Sequence, residues 1–526
     1  MAAAMVRETD MTFNGAEAFV ATLSACGVDT CFANPGTSEM QLVAAIDRQP
    51  GMRAVLGLFE GVVTGAADGY ARMAGKPAVT LLHLGPGLAN GLANLHNARR
   101  AASPVINMVG DHATYHLHFN APLTSDAAGV ARPMSDWVRV AQSPRDLAQA
   151  GAEAFVAAME WPGKVATVVV PADHAWGPGA APVAPRPVPP APRAPDAAIA
   201  AAADALRNTE GPVALLLGGR ALRADALVQA GRIAAAIGAK LICETFAARV
   251  ERGVGRVALE KLPYFGEMAA DFLAPYATIL VCGTEPPVAF FAYPGKPSAL
   301  SPPDANVVRL AGLRENALAA LTALADALDA PAEPAGVQVR AVPPADERLT
   351  PYSIGAVLAE LMPAGAIVSD EGLTASAALF DATIGAAPHD WLMVTGGAIG
   401  QGLPVATGAA VACPGRQVIA LQADGSGMYT CQALWTMARE RLDVVTVIFA
   451  NASYAILNIE LMRVGVQNPG PKALSMLSLD HPRLDWCAIA AGMGVPAERV
   501  GTTAGFRAAF ERALGASGPA LIEAML

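Results

Sequence analysis

Three patches of this sequence carry side chains whose types and spacing could do chemistry. In GLFEGVVTGAADGYAR, Gly57 to Arg72, one carboxylate, Glu60, stands among small and apolar residues. An unpaired charge is costly to bury. Glu60 is therefore either a solvated residue near a helix start or a carboxyl held out of water to move a proton. In ALQADGSGMYTCQALWTMARERLDVVTVIFANASYAIL, the run VIALQA ends in Asp424-Gly425-Ser426, and the run VVTVIFA ends in Asn451-Ala452-Ser453. A crossover between two parallel strands would set Asp424 and Asn451 side by side. Oxygen donors of this kind suit a hard cation such as Mg²⁺, which takes its other ligands from phosphates and water. The third patch is LLHLGPGLANGLANL, where His83 follows an apolar run. A histidine there is either a satisfied core residue or a proton carrier.

The elements that must position these residues can be read from the apolar pattern. PAVTLLHL, VATVVV, PVALLLGG, ATILVCG, QVIALQA and VVTVIFAN are short apolar runs bounded by Gly, Pro or charge, and Ala-rich helical stretches separate them. Unbroken apolarity is what a strand covered on both faces requires. The Pro-dense stretch AWGPGAAPVAPRPVPPAPRAPDA, Ala175 to Ala197, should run extended as a linker, and a second linker lies between Asp329 and Pro351. The expected fold is α/β, with three doubly wound parallel-sheet domains at 1–180, 198–330 and 350–526. In such sheets ligands collect at the carboxyl ends of strands, where loops lead into helix N-termini, and that is where chemistry is to be sought.

Composition narrows the function. The chain has 526 residues, 53% of them hydrophobic and 16% charged, and a net charge of −10. No run of Lys and Arg argues for nucleic acid as a partner. The seven cysteines show no metal-type spacing and read as buried free thiols in a reducing compartment. The acidic N-terminus MAAAMVRETDMTFNG lacks a signal-peptide core, and no apolar run is long enough to span a membrane. A cytoplasmic enzyme without membrane or nucleic-acid partners is expected.

Asp-Gly-Ser followed at this distance by Asn resembles the cofactor motif of the thiamine-diphosphate enzymes that include benzoylformate decarboxylase, pyruvate decarboxylase and acetolactate synthase. The likeness covers nearly the whole chain, in the order pyrimidine-binding, central and diphosphate-binding domain. It implies thiamine diphosphate and Mg²⁺, the metal being held by Asp424, Asn451 and the carbonyl of Ser453. Ala423 departs from the usual Gly. SDEGLTAS resembles the first diphosphate loop, with Leu373 and Thr374 as contacts. TGGAIGQGLPVATGAA resembles the segment that cradles the aminopyrimidine, with Gly397 at the ring and Ile399 wedged between the two rings. Pro35, Gly425, Ser426 and Tyr454 complete the implied cofactor set.

The same likeness gives Glu60 a role. From the neighbouring subunit's side it would bond N1′ of the aminopyrimidine, with Phe59, Val62 and Val63 excluding water. A homo-oligomer follows, at least a dimer and by family habit a tetramer. FANPGTSEMQL resembles benzoylformate decarboxylases, with Thr37 at the serine that meets the substrate carboxylate and His83 at a histidine that assists proton transfer. A second histidine of those enzymes, in the central domain, has no counterpart in EPPVAFFAYPGKPS. The loop DHATYHLHFNAPLTSD instead brings His112, His116 and His118, which either replace it or form a polar surface loop, and places Leu123 near a glutamine of acetolactate synthases. The implied reaction is decarboxylation of a small 2-oxo acid, with carboligation to a 2-hydroxy ketone close by. Alternatives are an acetolactate-synthase-like or acyl-CoA lyase, the latter disfavoured by an ending, GPALIEAML, without a further tail, and a non-catalytic assembly subunit. ALLLGGRALRADA in the central domain hints at a nucleotide site, but FAD is not expected.

Overall fold

The computed structural model describes residues 13–526. Most of the acidic N-terminal stretch, residues 1–12, lies outside the described residues. Each expected apolar run forms a strand: Ala78–Leu82, Val165–Pro171, Val213–Leu217, Thr278–Cys282, Val418–Ala423 and Val444–Ala450. Nearly all of their side chains are buried, as strands covered on both faces must be.

The first sheet has six parallel strands, in the spatial order Arg53–Leu56, Thr30–Asn34, Ala78–Leu82, Val105–Asp111, Val165–Pro171 and Trp137–Val140. The last sheet repeats this winding with His389–Met393, Ile367–Glu371, Val418–Ala423, Val444–Ala450, Ala520–Met525 and Ala497–Val500. In both, the chain-order switch lies between the first and third strands, and at a switch the diverging loops open a crevice for ligands. The crevice of the first sheet is lined by the residues after Asn34 and Leu82. That of the last is lined by the residues after Glu371 and Ala423.

A five-stranded parallel sheet lies between them in sequence. One finding departs from three self-contained sheets. Val250–Arg252, from the middle segment, pairs antiparallel with His389–Met393 and adds a seventh strand to the last sheet. The Arg252 guanidinium lies 3.5 Å from the Phe380 ring and donates to Phe380 O at 2.6 Å, which pins the strand. The linkers carry no long element: a three-residue strand, Pro178–Ala180, pairs with Phe13–Asn14, and no helix or named strand falls between Ala327 and Pro351.

The first and last sheets meet through two helices, Glu60–Ala74 and Gly402–Ala412. Their contact face is made of small residues because the backbones touch. A Cβ at Gly69 would strike the Val405 backbone, and one at Gly408 would overlap the Ala66 carbonyl. The first of these helices stops at Gly75, whose φ of 68° is left-handed and whose N–H donates to Ala71 O. Cys31, Cys243, Cys282 and Cys431 are buried free thiols, as expected. Cys26, Cys413 and Cys487 are only partly buried.

Candidate active site

Glu60 is the first residue of its helix, after the extended Phe59. It is 8% exposed among Val62 and Val63, each at 1%. A helix N-terminus favours a carboxylate, so burial here is tolerable. Asn90 Nδ2 donates to its Oε2 at 3.0 Å. A Cβ at Gly87 would lie 3.0 Å from Glu60 Oε1 and 3.3 Å from His83 Cβ, so Glu60 and His83 flank one glycine.

His83 caps the helix Leu84–Arg100. Its Nδ1 lies 2.7 Å from Glu39 Oε2, and Glu39 is fully buried. A carboxylate only accepts, so Nδ1 donates, and Nε2 is the atom left to exchange a proton. Glu39 also accepts from Gly36 N at 2.8 Å and from Ser38 Oγ at 2.7 Å. Gly36 has no room for a side chain, because a Cβ would overlap the His83 ring. Pro35 and Thr37 lie on the same turn, Thr37 with its side chain exposed.

At the last sheet's switch, strands Val418–Ala423 and Val444–Ala450 are paired to the register Ala423 with Phe449. Asp424 and Asn451 therefore emerge side by side. Asp424, 4% exposed, accepts from Gly425 N at 2.8 Å through Oδ1 and from Ala452 N at 2.7 Å through Oδ2. Burial raises its carboxyl above the ordinary range, against the pull of those backbone N–H groups. Asn451 Oδ1 accepts from Ser453 N at 3.0 Å. Ser426 accepts from Gln422 Nε2 at 2.6 Å. Tyr454 stands over Gly425, where a Cβ would come within 2.6 Å of its ring. Leu373 and Thr374 follow the neighbouring strand, Ile367–Glu371.

Leu84, Leu373 and Ala452 have φ values of 49°, 52° and 53°. Left-handed backbone at non-glycine residues costs free energy and gathers at functional sites. Each of the three adjoins a predicted site residue. Gly397, at φ 76°, is moulded against Phe290, whose ring would lie 2.5 Å from a Cβ there. Ala398 and Gly396, beside Ile399 and Gly397, are held by Asn97.

The predicted residues thus form two groups. Glu60, His83, Thr37 and Pro35 line the first crevice. Asp424, Asn451, Ser453, Tyr454, Gly425, Ser426, Leu373 and Thr374 line the last. Asn94 links the Glu60 helix to the Gly397–Ile399 segment, donating to Gly61 O at 2.8 Å and to Gly400 O at 3.2 Å. Sequence reasoning did not single out Glu39, Asn90, Asn94 or Glu371. Glu39 lies in the quoted PGTSE turn, which could have marked it, whereas Asn90, Asn94 and Glu371 show their roles only through distant contacts. Glu371, 1% exposed, accepts from Gly400 N at 2.6 Å and from Gly402 N. Burial pushes its carboxyl to about 7.

His116 and His118 lie within the turn Thr114–Phe119 and His112 just before it, with ring centroids 5.6 Å apart for His112 and His116, and His118 is exposed. Leu123 is exposed beside them. Asp485, Cys487 and Glu523 bring potential ligand atoms within 4.8 Å of one another. Arg499 already answers that charge, at 2.7 Å from Asp485 and 2.9 Å from Glu523. Among the described residues no helix is long and apolar enough to cross a membrane.

The donor set at Asp424, Asn451 and Ser453 is all oxygen, converges at two strand ends and fits a divalent cation carrying phosphates. Residues 13–130 match the N-terminal TPP binding domain of the thiamine pyrophosphate enzymes, and residues 375–524 match their C-terminal TPP binding domain. A Mycobacterium tuberculosis protein provisionally named acetolactate synthase large subunit IlvX is 50% identical over 98% of this chain and 99% of its own length. Benzoylformate decarboxylase of Pseudomonas aeruginosa is 30% identical over 94% of this chain and 96% of its own. Among solved structures, the thiamine diphosphate-dependent 4-hydroxybenzoylformate decarboxylase of Rhodococcus jostii RHA1 superposes with a TM-score of 0.86 at 25% identity, covering 97% of this chain and 98% of that one.

Proposed function

Because the chain belongs to the thiamine pyrophosphate enzyme family, we propose that it decarboxylates a small 2-oxo acid with thiamine diphosphate and Mg²⁺. The bound cofactor supplies a carbon nucleophile and an electron sink for the bond that loses CO₂. Asp424, Asn451 and the Ser453 carbonyl hold Mg²⁺, and Leu373, Thr374, Gly425 and Ser426 face the diphosphate. Gly397, Ile399, Pro35 and Tyr454 shape the seat of the rings. Glu60 holds a proton at N1′ of the aminopyrimidine, and Phe59, Val62 and Val63 keep water from it. The Thr37 hydroxyl orients the substrate carboxylate. His83 takes or delivers a proton through Nε2 while Glu39 fixes its ring.

The observation that carries this reading is the placement of Glu60 and His83 on either side of Gly87, with Glu39 behind the imidazole. A proton-handling pair at a switch crevice suits a reaction that ends by protonating carbon. The crevices of two protomers complete one another in the proposed assembly, a homodimer or a dimer of dimers.

A second reading, carboligation in the manner of acetolactate synthases, is supported by the aromatic wall at the Gly397 segment. Phe290 touches that segment where a proton donor could have stood, and its neighbours Phe246, Tyr264 and Phe291 extend the wall. A panel of 2-oxo acids with detection of CO₂, aldehyde and 2-hydroxy ketone tests both readings. Glu60→Gln should cut turnover at least about 100-fold, the scale of lost general acid–base catalysis. It should leave calorimetric binding of thiamine diphosphate with Mg²⁺ within a few-fold. Unchanged turnover in Glu60→Gln overturns the proton assignment, and an absence of cofactor binding in the unaltered chain favours a non-catalytic assembly subunit.

A further inference from the structure

The middle sheet has its own switch. Its order is Glu260–Lys261, Lys240–Cys243, Val213–Leu217, Thr278–Cys282 and Asn306–Ala311, so the winding reverses between Val213–Leu217 and Thr278–Cys282. A cavity of about 480 Å³ opens at the carboxyl ends of these two strands. That size is in the range of small-molecule sites, and the location is where open parallel sheets bind ligands. All three parts of the chain wall it: Arg220, Arg223 and Glu244 from the middle, Arg100 from the first, and Thr395 and Gly396 from the last.

The wall carries Arg100, Arg220 and Arg223 against Glu244 and Glu285, and Glu285 faces Arg309 at 3.8 Å. Neither Arg100, Arg220 nor Arg223 forms an ion pair among the described residues. Arg223 donates one hydrogen bond, to Arg249 O at 2.8 Å. Arg249 spends its own charge on Glu251 and Asp390. Burial, with Arg249 and Arg220 nearby, holds the Arg223 guanidinium down at about 9. Arg100 and Arg220 are exposed and Arg223 is half-buried, so what the cavity offers an anion is two neighbouring guanidinium groups, Arg220 and Arg223, with no carboxylate bonded to either.

The glycine turn decides what kind of anion fits. A nucleotide at such a switch would place its phosphates on the amides of Gly218 and Gly219. Glu244 is already there. Its Oε1 accepts from Gly219 N at 2.9 Å, its Oε2 accepts from Thr284 Oγ1 at 2.7 Å, and a Cβ at Gly218 would lie 2.7 Å from its carboxyl. A phosphate chain would meet a carboxylate at the one place it needs donors. The remaining donors are the arginine forks, which match a carboxylate head, and beyond them the wall is apolar: Phe246, Leu262, Tyr264, Phe290 and Leu300.

We propose that this cavity is a second binding site, distinct from the Glu60 and Asp424 crevices though it shares the Phe246, Tyr264 and Phe290 wall with the Gly397 segment, for an organic carboxylate with an apolar or aromatic side chain, gripped by Arg220 and Arg223 with Arg100 at the rim. Thr395 and Gly396 belong to its wall and run directly into Gly397 and Ile399, so the bound carboxylate touches the segment that seats the cofactor.

The test is calorimetric titration of the chain, loaded with thiamine diphosphate and Mg²⁺, with phenylacetate, a carboxylate that lacks the 2-oxo group. Saturable binding is expected. It should weaken at least about tenfold in Arg220→Met and in Arg223→Met, as loss of a charge-assisted bond dictates, and it should weaken less in Arg223→Lys, which keeps the charge and loses the fork. Thr37→Ala, which disturbs the first crevice, should leave it within about twofold. Arg100→Met and Arg220→Met, both at exposed positions, give the same direction of change should Arg223→Met fail to fold. Affinity insensitive to every arginine variant, affinity lost in Thr37→Ala, or tighter binding of inorganic phosphate or FAD than of phenylacetate each overturns the proposal.

Discussion

Replacing Asp68 with Asn should loosen the junction of all three parts of the chain. Asp68 is fully buried on the Glu60–Ala74 helix. It accepts from Arg72 Nε at 2.8 Å, Arg72 Nη2 at 2.6 Å, Ser103 Oγ at 2.5 Å and Gln401 Nε2 at 2.8 Å. Arg72 in turn donates to Met393 O at 2.7 Å, Ala248 O at 3.2 Å and Thr395 Oγ1 at 3.2 Å. One carboxylate therefore answers a guanidinium that ties the first helix to the middle segment and to the last sheet. Removing one partner of a buried pair costs about 3–5 kcal/mol, and the amide oxygen of Asn recovers about 1 kcal/mol by still accepting a bond. The expected net loss is about 3 kcal/mol. Arg72→Met should cost a similar amount alone. The double variant, with no uncompensated charge, should fall short of the sum by about 2 kcal/mol or more. Urea unfolding followed by tryptophan fluorescence, with separate transitions fitted where they resolve, measures this. A loss below about 1 kcal/mol in Asp68→Asn, or additive single and double variants, would refute the reasoning.

Two further outcomes are expected. Gly36→Ala drives a methyl into the His83 ring; turnover of the best 2-oxo acid should fall at least about tenfold while thiamine diphosphate affinity holds, and unchanged turnover would remove His83 from the reaction. Glu371 bears on pH: burial raises its carboxyl from 4.5 to about 7, so the fold prefers the protonated form. Its contribution is full below about pH 4.5 and is lost as pH climbs through about 7, worth about 3 kcal/mol at about 1.4 kcal/mol per unit. Thermal midpoints measured from pH 5 to 7.5 should therefore decline less in Glu371→Gln than in the unaltered chain, and parallel declines would contradict the assignment.

Much of the framework was readable from local pattern. Strands such as Val444–Ala450 announce themselves because burial on both faces demands unbroken apolarity over a short run. Asp424 and Asn451 were readable as a pair because strand length and crossover geometry leave few ways to place two strand ends. Glu60 stood out as a charge in an apolar stretch. Glu39 did not, since only its contact with His83, 44 residues away, separates it from a surface glutamate. The same holds for Asp68 and Glu371, whose partners Gln401 and Gly400 come from other elements. The strand Val250–Arg252 was missed for a related reason: three residues carry too little pattern, and their partner lies far along the chain.

That short strand changes what the second linker means. A fragment starting at residue 350 would keep six strands of the last sheet but leave His389–Met393 with a row of open N–H and C=O groups. An uncovered edge of that kind invites pairing with another molecule. The Asp329–Pro351 stretch is thus a poor place to divide the chain, and the halves on either side of it should be expressed, folded and degraded together.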